Sequence, residues 1–211
     1  MNIINISKIS LIKNYFECKD TCIIFGKGPT FKIIKTEDIS SNVAVICIND
    51  TINYIDNCDL LVCNDIESFK KINLKRLNNC SNILIPYHIH YNCKPNINKT
   101  YNNVIKMIKP FFTGNLIVYN LSSINKNYKE FIILKTALTS SHTAFEFIGT
   151  FIKNIKSCIF YGVAKKCDNR NAIFYNDSNC VMNKIHQERY KEYKDMLDKL
   201  SKSFNLSYTL N

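Results

Sequence analysis

At 211 residues, 46% hydrophobic and 12% aromatic, the chain has the length for one core and the composition of a folded protein rather than a disordered one. Its formal charge of +11 suits an acidic partner such as a nucleotide, but the charges are scattered through a Lys-, Asn- and Ile-rich sequence of the kind that AT-rich coding favours, so no nucleic-acid interface is expected. No run approaches the roughly 20 apolar residues that span a bilayer, and Asn, Ser and Lys interrupt residues 1–16 too often for a signal peptide. The ten cysteines are therefore read as reduced thiols of a cytoplasmic protein, with Cys22, Cys47, Cys63 and Cys158 packing as small hydrophobes.

Residues 1–20 read as an irregular or helical lead-in. The apolar run Cys22, Ile23, Ile24, Phe25 then stops at Gly26-Lys27-Gly28-Pro29-Thr30, a turn that holds two of the five glycines and one of the four prolines. A strand that delivers a small-residue turn lets backbone N–H groups approach an anion, and nucleotide phosphate is the obvious one; an ordinary tight turn after a buried strand is the alternative. Further apolar runs follow at 43–48, ending in Asn49-Asp50, and at 59–63, ending in Asn64-Asp65. Such runs suit strands buried on both faces of a parallel sheet, whose carboxyl ends bind ligands. A helix is expected over 65–72 with Asp65 as its N-cap, and strands over 83–86 and 116–119. The intervening segment, 87–114, is Asn-rich, aromatic and without clear periodicity, a candidate lid or insertion.

Thr139, Ser140, Ser141 and His142 precede a helix marked by Ala144, Ile148, Phe151 and Ile155, where Ser141 and Thr143 could offer donors to a ligand. A sixth strand, 158–161, ends at Gly162. A polar loop leads into a last helix from about Asn183, striped by Tyr193, Leu197, Leu200 and Phe204, and 206–210 reads as a final strand. The fold class is thus α/β: a Rossmann-like, mostly parallel sheet flanked by helices, with 1–211 as one nucleotide-binding domain.

Four histidines are present. His88 and His90, with Cys93 nearby, make a thin set of metal ligands without a carboxylate, and Asn64-Asp65-Ile66-Glu67 is a poor version of the Asp-x-Asp of metal-dependent glycosyltransferases, so no metal is expected. There is no P-loop, and Phe31 stands where a third glycine would complete Gly-x-Gly-x-x-Gly. His142 sits at a helix start, as a cap neighbour or phosphate donor. His186 follows a polar loop at the start of the last helix, where an imidazole can face a site and act as a general base.

The turn 26–30 with strands ending at Asn49 and Asn64 resembles the nucleotide-binding half of the bacterial sialyltransferases of glycosyltransferase family 42, which carry Gly-x-Gly-Pro-Ser and two strand-end asparagines that contact CMP-sialic acid. The similarity extends to Ser141-His142-Thr143 in place of a Thr-Ser-Gly helix start, the strand ending at Gly162, and His186, whose counterpart is the family's catalytic base. The resemblance implies metal-independent inverting transfer from a CMP-activated donor to a hydroxyl of a glycan or small-molecule acceptor, without a cofactor. Two departures stand out. Gly162-Val163-Ala164 replaces Gly-Ile-Asp, and the two tyrosines that assist the departing phosphate lack counterparts at the same spacing, leaving Tyr161, Lys165, Lys166 and Tyr175 as stand-ins. The archaeal 6-hydroxymethylpterin diphosphokinase-like proteins share the Gly-x-Gly-Pro-Ser turn, so two alternatives stay open: Mg²⁺-dependent diphosphate transfer from a nucleoside triphosphate, and a catalytically silent nucleotide-binding module. Whether the chain acts as a monomer or a homo-oligomer is also left open.

Overall fold

Side chains of a β-strand alternate between the two faces of its sheet, so a strand covered by helices on both sides is apolar throughout. The computed structural model describes residues 1–27, 38–91, 94–123, 130–135, 139–163 and 190–211. Within them the elements are β1 (Asn2–Ile4), α1 (Ile9–Tyr15), β2 (Thr21–Phe25), β3 (Val43–Ile48), a 3-10 helix (Asn49–Tyr54), β4 (Cys58–Val62) and α2 (Ile66–Lys71). There follow β5 (Cys80–Pro86), β6 (His88–Tyr91), β7 (Lys94–Thr100), α3 (Asn102–Ile108), β8 (Asn115–Leu121), β9 (Ile132–Leu134), α4 (Ser140–Phe151), β10 (Ser157–Tyr161), α5 (Tyr190–Phe204) and β11 (Ser207–Leu210).

The main sheet has the order β1-β8-β5-β4-β3-β2-β10-β11, with β9 also on β8, and every pairing in it is parallel. The chain is an α/β protein with a parallel central sheet flanked by helices. β1 and β9 lie end to end along one edge of β8, on 115–117 and 119–121. Alternation divides the core as the periodicity demands. Cys22, Ile24, Ala44, Ile46, Leu60 and Val62 face α1, α4 and α5, whereas Phe25, Val45, Cys47, Leu61 and Cys63 join Phe69 of α2 and Val104 and Ile108 of α3. The seven described cysteines are free thiols and six are buried. Burial pushes the thiols of Cys22, Cys58, Cys63 and Cys80 up.

Several boundaries differ from the sequence expectation. The lead-in contains β1, and β9 is a further short strand. Segment 87–114 holds the antiparallel hairpin β6–β7 and then α3, which is anchored by its buried Val104 and Ile108. Asp65 occupies the N-cap of α2 but makes no capping side-chain bond. Helix α4 begins at Ser140, so Ser141 and His142 lie inside its first turn and Ile155 lies past its end; the cap is Thr139, whose side chain accepts the His142 N–H. The last helix is described from Tyr190, its expected start near Asn183 lying outside the described residues.

Where α4 crosses α5, a Cβ on Gly149 would stand 2.5 Å from Phe204 Cδ2 and Cγ. In an exposed helix interior Gly→Ala gains about 1 kcal/mol. Here the added methyl meets a ring, and the expected sign reverses: Gly149→Ala lowers the urea midpoint, with a loss of roughly 1–3 kcal/mol as for other overpacked sites. Pairing it with Phe204→Leu is expected to recover part of that loss relative to the sum of the single variants; strict additivity would show that the ring is not what resists the methyl.

Candidate functional site

The chain leaves β2 towards β3 on one side, while β10 flanks β2 on the other. This reversal of strand order is a topological switch point, and the crevice beyond it is where open parallel sheets hold ligands. The turn that begins Gly26-Lys27 sits there. The Gly26 N–H donates to the Tyr161 carbonyl at 2.7 Å, and a Cβ on Gly26 would lie 2.7 Å from Gly162 O and 2.9 Å from Val163 Cγ2. Gly162 itself has φ 65°, the left-handed region that glycine enters freely. These two glycines therefore depend on each other: one permits the close approach and the other makes the bend that creates it. Tyr161 is half-buried, and its ring stacks on Phe25 at a centroid distance of 5.9 Å.

At the end of β3, Asn49 has φ 57°, a left-handed conformation that Asn tolerates better than most residues. Thr51 ties the following 3-10 helix to both strands, donating to the Ile48 carbonyl at 2.9 Å and the Phe25 carbonyl at 3.2 Å. Lys27 Nζ lies 2.6 Å from Asp50 Oδ1, an ion pair that links the turn after β2 to the turn after β3.

Asn64, at the end of β4, is 2% exposed. Its Nδ2 donates to Thr143 Oγ1 at 3.0 Å and its Oδ1 accepts from Tyr119 Oη at 3.0 Å, while its backbone N–H donates to Ser140 Oγ at 3.3 Å. Ser140 Oγ passes its own hydrogen to Asn49 Oδ1 at 3.3 Å. Thr143 Oγ1 donates to the Thr139 carbonyl at 3.1 Å. The first turn of α4 is thereby fastened to the ends of β3 and β4.

The same turn is fastened to α5. His142 is fully buried; its Nε2 lies 3.0 Å from the Tyr193 carbonyl and its Nδ1 2.9 Å from Thr139 Oγ1. A carbonyl only accepts, so Nε2 carries the hydrogen, and in the neutral ring Nδ1 accepts from the Thr139 hydroxyl. Thr139 Oγ1 already receives the His142 backbone N–H at 3.2 Å. With its one hydrogen spent on Nδ1, it accepts from Ser141 Oγ at 2.8 Å, which in turn accepts from Tyr193 Oη at 2.9 Å. One direction of hydrogens satisfies the whole chain. The Tyr193 and His142 rings also meet at 4.2 Å.

Of the residues singled out in the sequence, the structure gathers Gly26, Lys27, Asn49, Asn64, Ser141, His142, Thr143, Tyr161 and Gly162 at the carboxyl edge of β2, β3, β4 and β10. Within that group the hydroxyls of Ser141 and Thr143 and the ring nitrogens of His142 make bonds inside the protein. Gly28, Pro29, Thr30, Lys165, Lys166, Tyr175, His186 and Cys93 lie outside the described residues. His88, at the start of β6, is buried, and its Nδ1 has no hydrogen-bond partner among the described residues; burial lowers its pKa. Among the described residues no group of three or more His, Cys, Asp or Glu could hold a metal ion, and no helix is long and apolar enough to cross a membrane. Sequence reasoning passed over Thr139, Ser140, Tyr119 and Asp50 as site residues and read Tyr193 only as part of a buried stripe. The run of hydroxyls at 139–143 announced a cap without showing which residue makes it.

No protein-family model matches the chain, and no curated protein sequence matches it. Among solved structures it is similar to the sialyltransferase CST-II in complex with trisaccharide acceptor and CMP, at 14% identity over 90% of this chain and 80% of that one, with a TM-score of 0.43. It is similar also to an alpha-2,3-sialyltransferase from Campylobacter jejuni in apo form, at 16% identity over 91% of this chain and 75% of that one, with a TM-score of 0.41.

Burial pulls the His142 pKa down to about 4, against the opposing pull of the Tyr193 carbonyl. The unfolded chain takes up a proton near pH 6.5 that the folded chain refuses until about pH 4, so stability is full above 6.5 and falls as pH drops through that window. The expected loss attributable to His142 is on the order of 3 kcal/mol. Urea unfolding of the parent and His142→Gln across pH 4–7 checks this; equal slopes for the two proteins would show that His142 is not the titrating group.

Proposed function

We propose that this chain is a glycosyltransferase of the sialyltransferase type, transferring a sugar from a CMP-activated donor to an acceptor hydroxyl by metal-independent inverting chemistry. The observation that carries the reading is the position of the Gly26-Lys27 turn at the switch point of a parallel sheet, with Asn49, Asn64 and the first turn of α4 on the same edge. The motif resemblance of 26–30, Asn49, Asn64 and His186 supports the CMP-sugar assignment. On this reading the turn 26–30 and Asn49 contact the donor. Asn64, Ser141, His142, Thr143 and Gly162 form the wall behind it, held by their bonds to one another and to Tyr119, Thr139 and Tyr193. The partners are a nucleotide-sugar donor and a glycan or small-molecule acceptor.

In the proposed reaction His186 takes the proton of the acceptor hydroxyl as that oxygen attacks the anomeric carbon, and the bond from that carbon to the nucleotide phosphate breaks. The phosphate leaves with the electron pair, stabilised by phenolic or cationic groups drawn from Tyr161, Lys165, Lys166 and Tyr175. His142 is unsuited to the base role, because its only ring lone pair accepts from Thr139.

Calorimetry with CMP, GDP, UDP and ATP, followed by turnover of CMP-sialic acid with and without chelator, tests the reading. CMP is expected to bind best, and turnover to survive chelation. His186→Ala is expected to lower turnover by roughly 10²–10⁴-fold while leaving CMP affinity nearly intact, with loss of the rising acid limb of the pH profile. Binding of CMP without turnover of any CMP-sugar would leave a silent module, and activity abolished by chelator with a nucleoside triphosphate as donor would favour diphosphate transfer.

A further inference from the structure

We propose that Cys22 and Cys158 are a thiol pair that closes to a disulfide between β2 and β10, and that the bond staples together the two strands whose ends build the Gly26–Gly162 junction. The inference is independent of the nucleotide-sugar reading. Parallel register sets Cys22 directly opposite Cys158. One position earlier in the same ladder the Thr21 and Ser157 hydroxyls meet at 3.1 Å and hold that register. Neighbouring strands lie about 4.8 Å apart, inside the roughly 4.4–6.8 Å that separates the Cα atoms of a bridged pair. Both side chains turn to the face covered by α1, α4 and α5 and are fully buried. Their Sγ atoms stand 2.8 Å apart, nearer than the roughly 3.5–4.0 Å at which smaller carbon atoms rest in contact. A second opposed pair, Cys58 and Cys80, is engaged differently: Cys80 Sγ donates to the Asn82 carbonyl at 2.9 Å, and Cys58 divides its sulfur contacts between Cys47 and Cys80.

Both cysteines are thiols in the structure, and the oxidant is a low-molecular-weight disulfide such as oxidised glutathione. The thiolate of one cysteine attacks it, forming a mixed disulfide and releasing one small thiol. The thiolate of the other then attacks the protein sulfur of that mixed disulfide and expels the second. Two cysteine thiols and one small disulfide thus become one protein disulfide and two small thiols, which carry off the two electrons and two protons. The thiolate is the reacting form, and burial pushes the Cys22 thiol up, so the sealed core protects the pair in either state. Exchange belongs to the stage at which β10 has reached β2 and the layer of α4 and α5 has not yet closed over it. The bond joins positions 136 apart, and a loop of that length is where a cross-link removes most freedom from the unfolded chain. Three positions further along the same ladder Phe25 pairs with Tyr161, whose carbonyl takes the Gly26 N–H. The staple therefore holds the strand pair on which the close approach at the carboxyl edge depends.

In the experiment, reduced protein is unfolded in urea, refolded into buffers of rising oxidised-to-reduced glutathione ratio, blocked with iodoacetamide and digested with trypsin. Cleavage after lysine places Cys22 on peptide 20–27 and Cys158 on peptide 157–165. In the oxidising buffers most refolded chains are expected to yield these two peptides joined, lighter by two hydrogens than the separate thiols. Cys22 recovered alkylated, carrying glutathione or joined to any other cysteine overturns the pairing. Urea unfolding of the oxidised parent, in the absence of thiol, is expected to show a midpoint above that of the reduced parent by on the order of 1 M. Cys158→Ala, whose remaining cysteines still respond to the buffer, is expected to show no such rise. Cys22→Ala serves the same comparison from the other side of the bond, and the peptide map needs no variant. A joined pair without a higher midpoint, or a rise of equal size in either alanine variant, overturns the staple.

Discussion

Everything at the carboxyl edge of the sheet depends on how closely the ends of β2 and β10 approach. The Gly26 N–H meets the Tyr161 carbonyl at 2.7 Å, and the space where a Cβ would stand is occupied by Gly162 O and Val163 Cγ2. A side chain at position 26 would push β10 outward, and β11, which pairs with β10 in register from Ser157 to Phe160, would move with it. Because closely packed interiors yield little, such a shift would change the shape of the crevice rather than be absorbed locally. Glycine at 26 is thus a requirement of the sheet before it is a requirement of any ligand.

Behind that junction lies a buried polar layer. Asn64, Tyr119, Ser140, His142 and Thr143 are each 5% exposed or less. Burying such groups unpaired is costly, whereas a fully bonded set fixes one arrangement of the elements that supply it. These residues come from β4, β8 and α4, and Tyr193 brings in α5. Burial keeps His142 neutral, and with the ring neutral the hydroxyl chain runs from Tyr193 through Ser141 and Thr139 to His142. Burial likewise holds the Tyr119 phenol well above its usual range, keeping it a donor to Asn64.

The sheet was legible in the sequence because its central strands are buried on both faces, and continuous apolar runs as short as 43–48 and 60–63 fit such strands better than they fit a helix. β1 and β9 were not legible, since three residues at a sheet edge leave too short a pattern. The β6–β7 hairpin was hidden by Lys94, Pro95, Asn96 and Asn98, which are poor strand formers taken one by one. The placement of Gly26, Asn49 and Asn64 at strand ends was legible, because the end of an apolar run is a local signal. What escaped was pairing between distant positions: nothing in the sequence joins Ser140 to Asn49 or His142 to Tyr193, contacts that exist only once α4 lies against the end of β3 and beside α5. The different bonding of Asn49 and Asn64 was invisible for the same reason.

The position of β2 has a consequence for the order of events on the ribosome. Its neighbour β3 is made soon afterwards, but its other neighbour pairs Thr21 with Ser157, 136 positions later. β1 likewise waits for β8, pairing Asn2 with Asn115. At about 5–20 residues per second, the β2 edge emerges on the order of ten seconds before the strand that covers it. During that interval a nascent chain displays an apolar, hydrogen-bond-hungry edge at the strand that becomes the switch point, so the junction that shapes the carboxyl edge of the sheet is also the one most dependent on protection while the protein is being made.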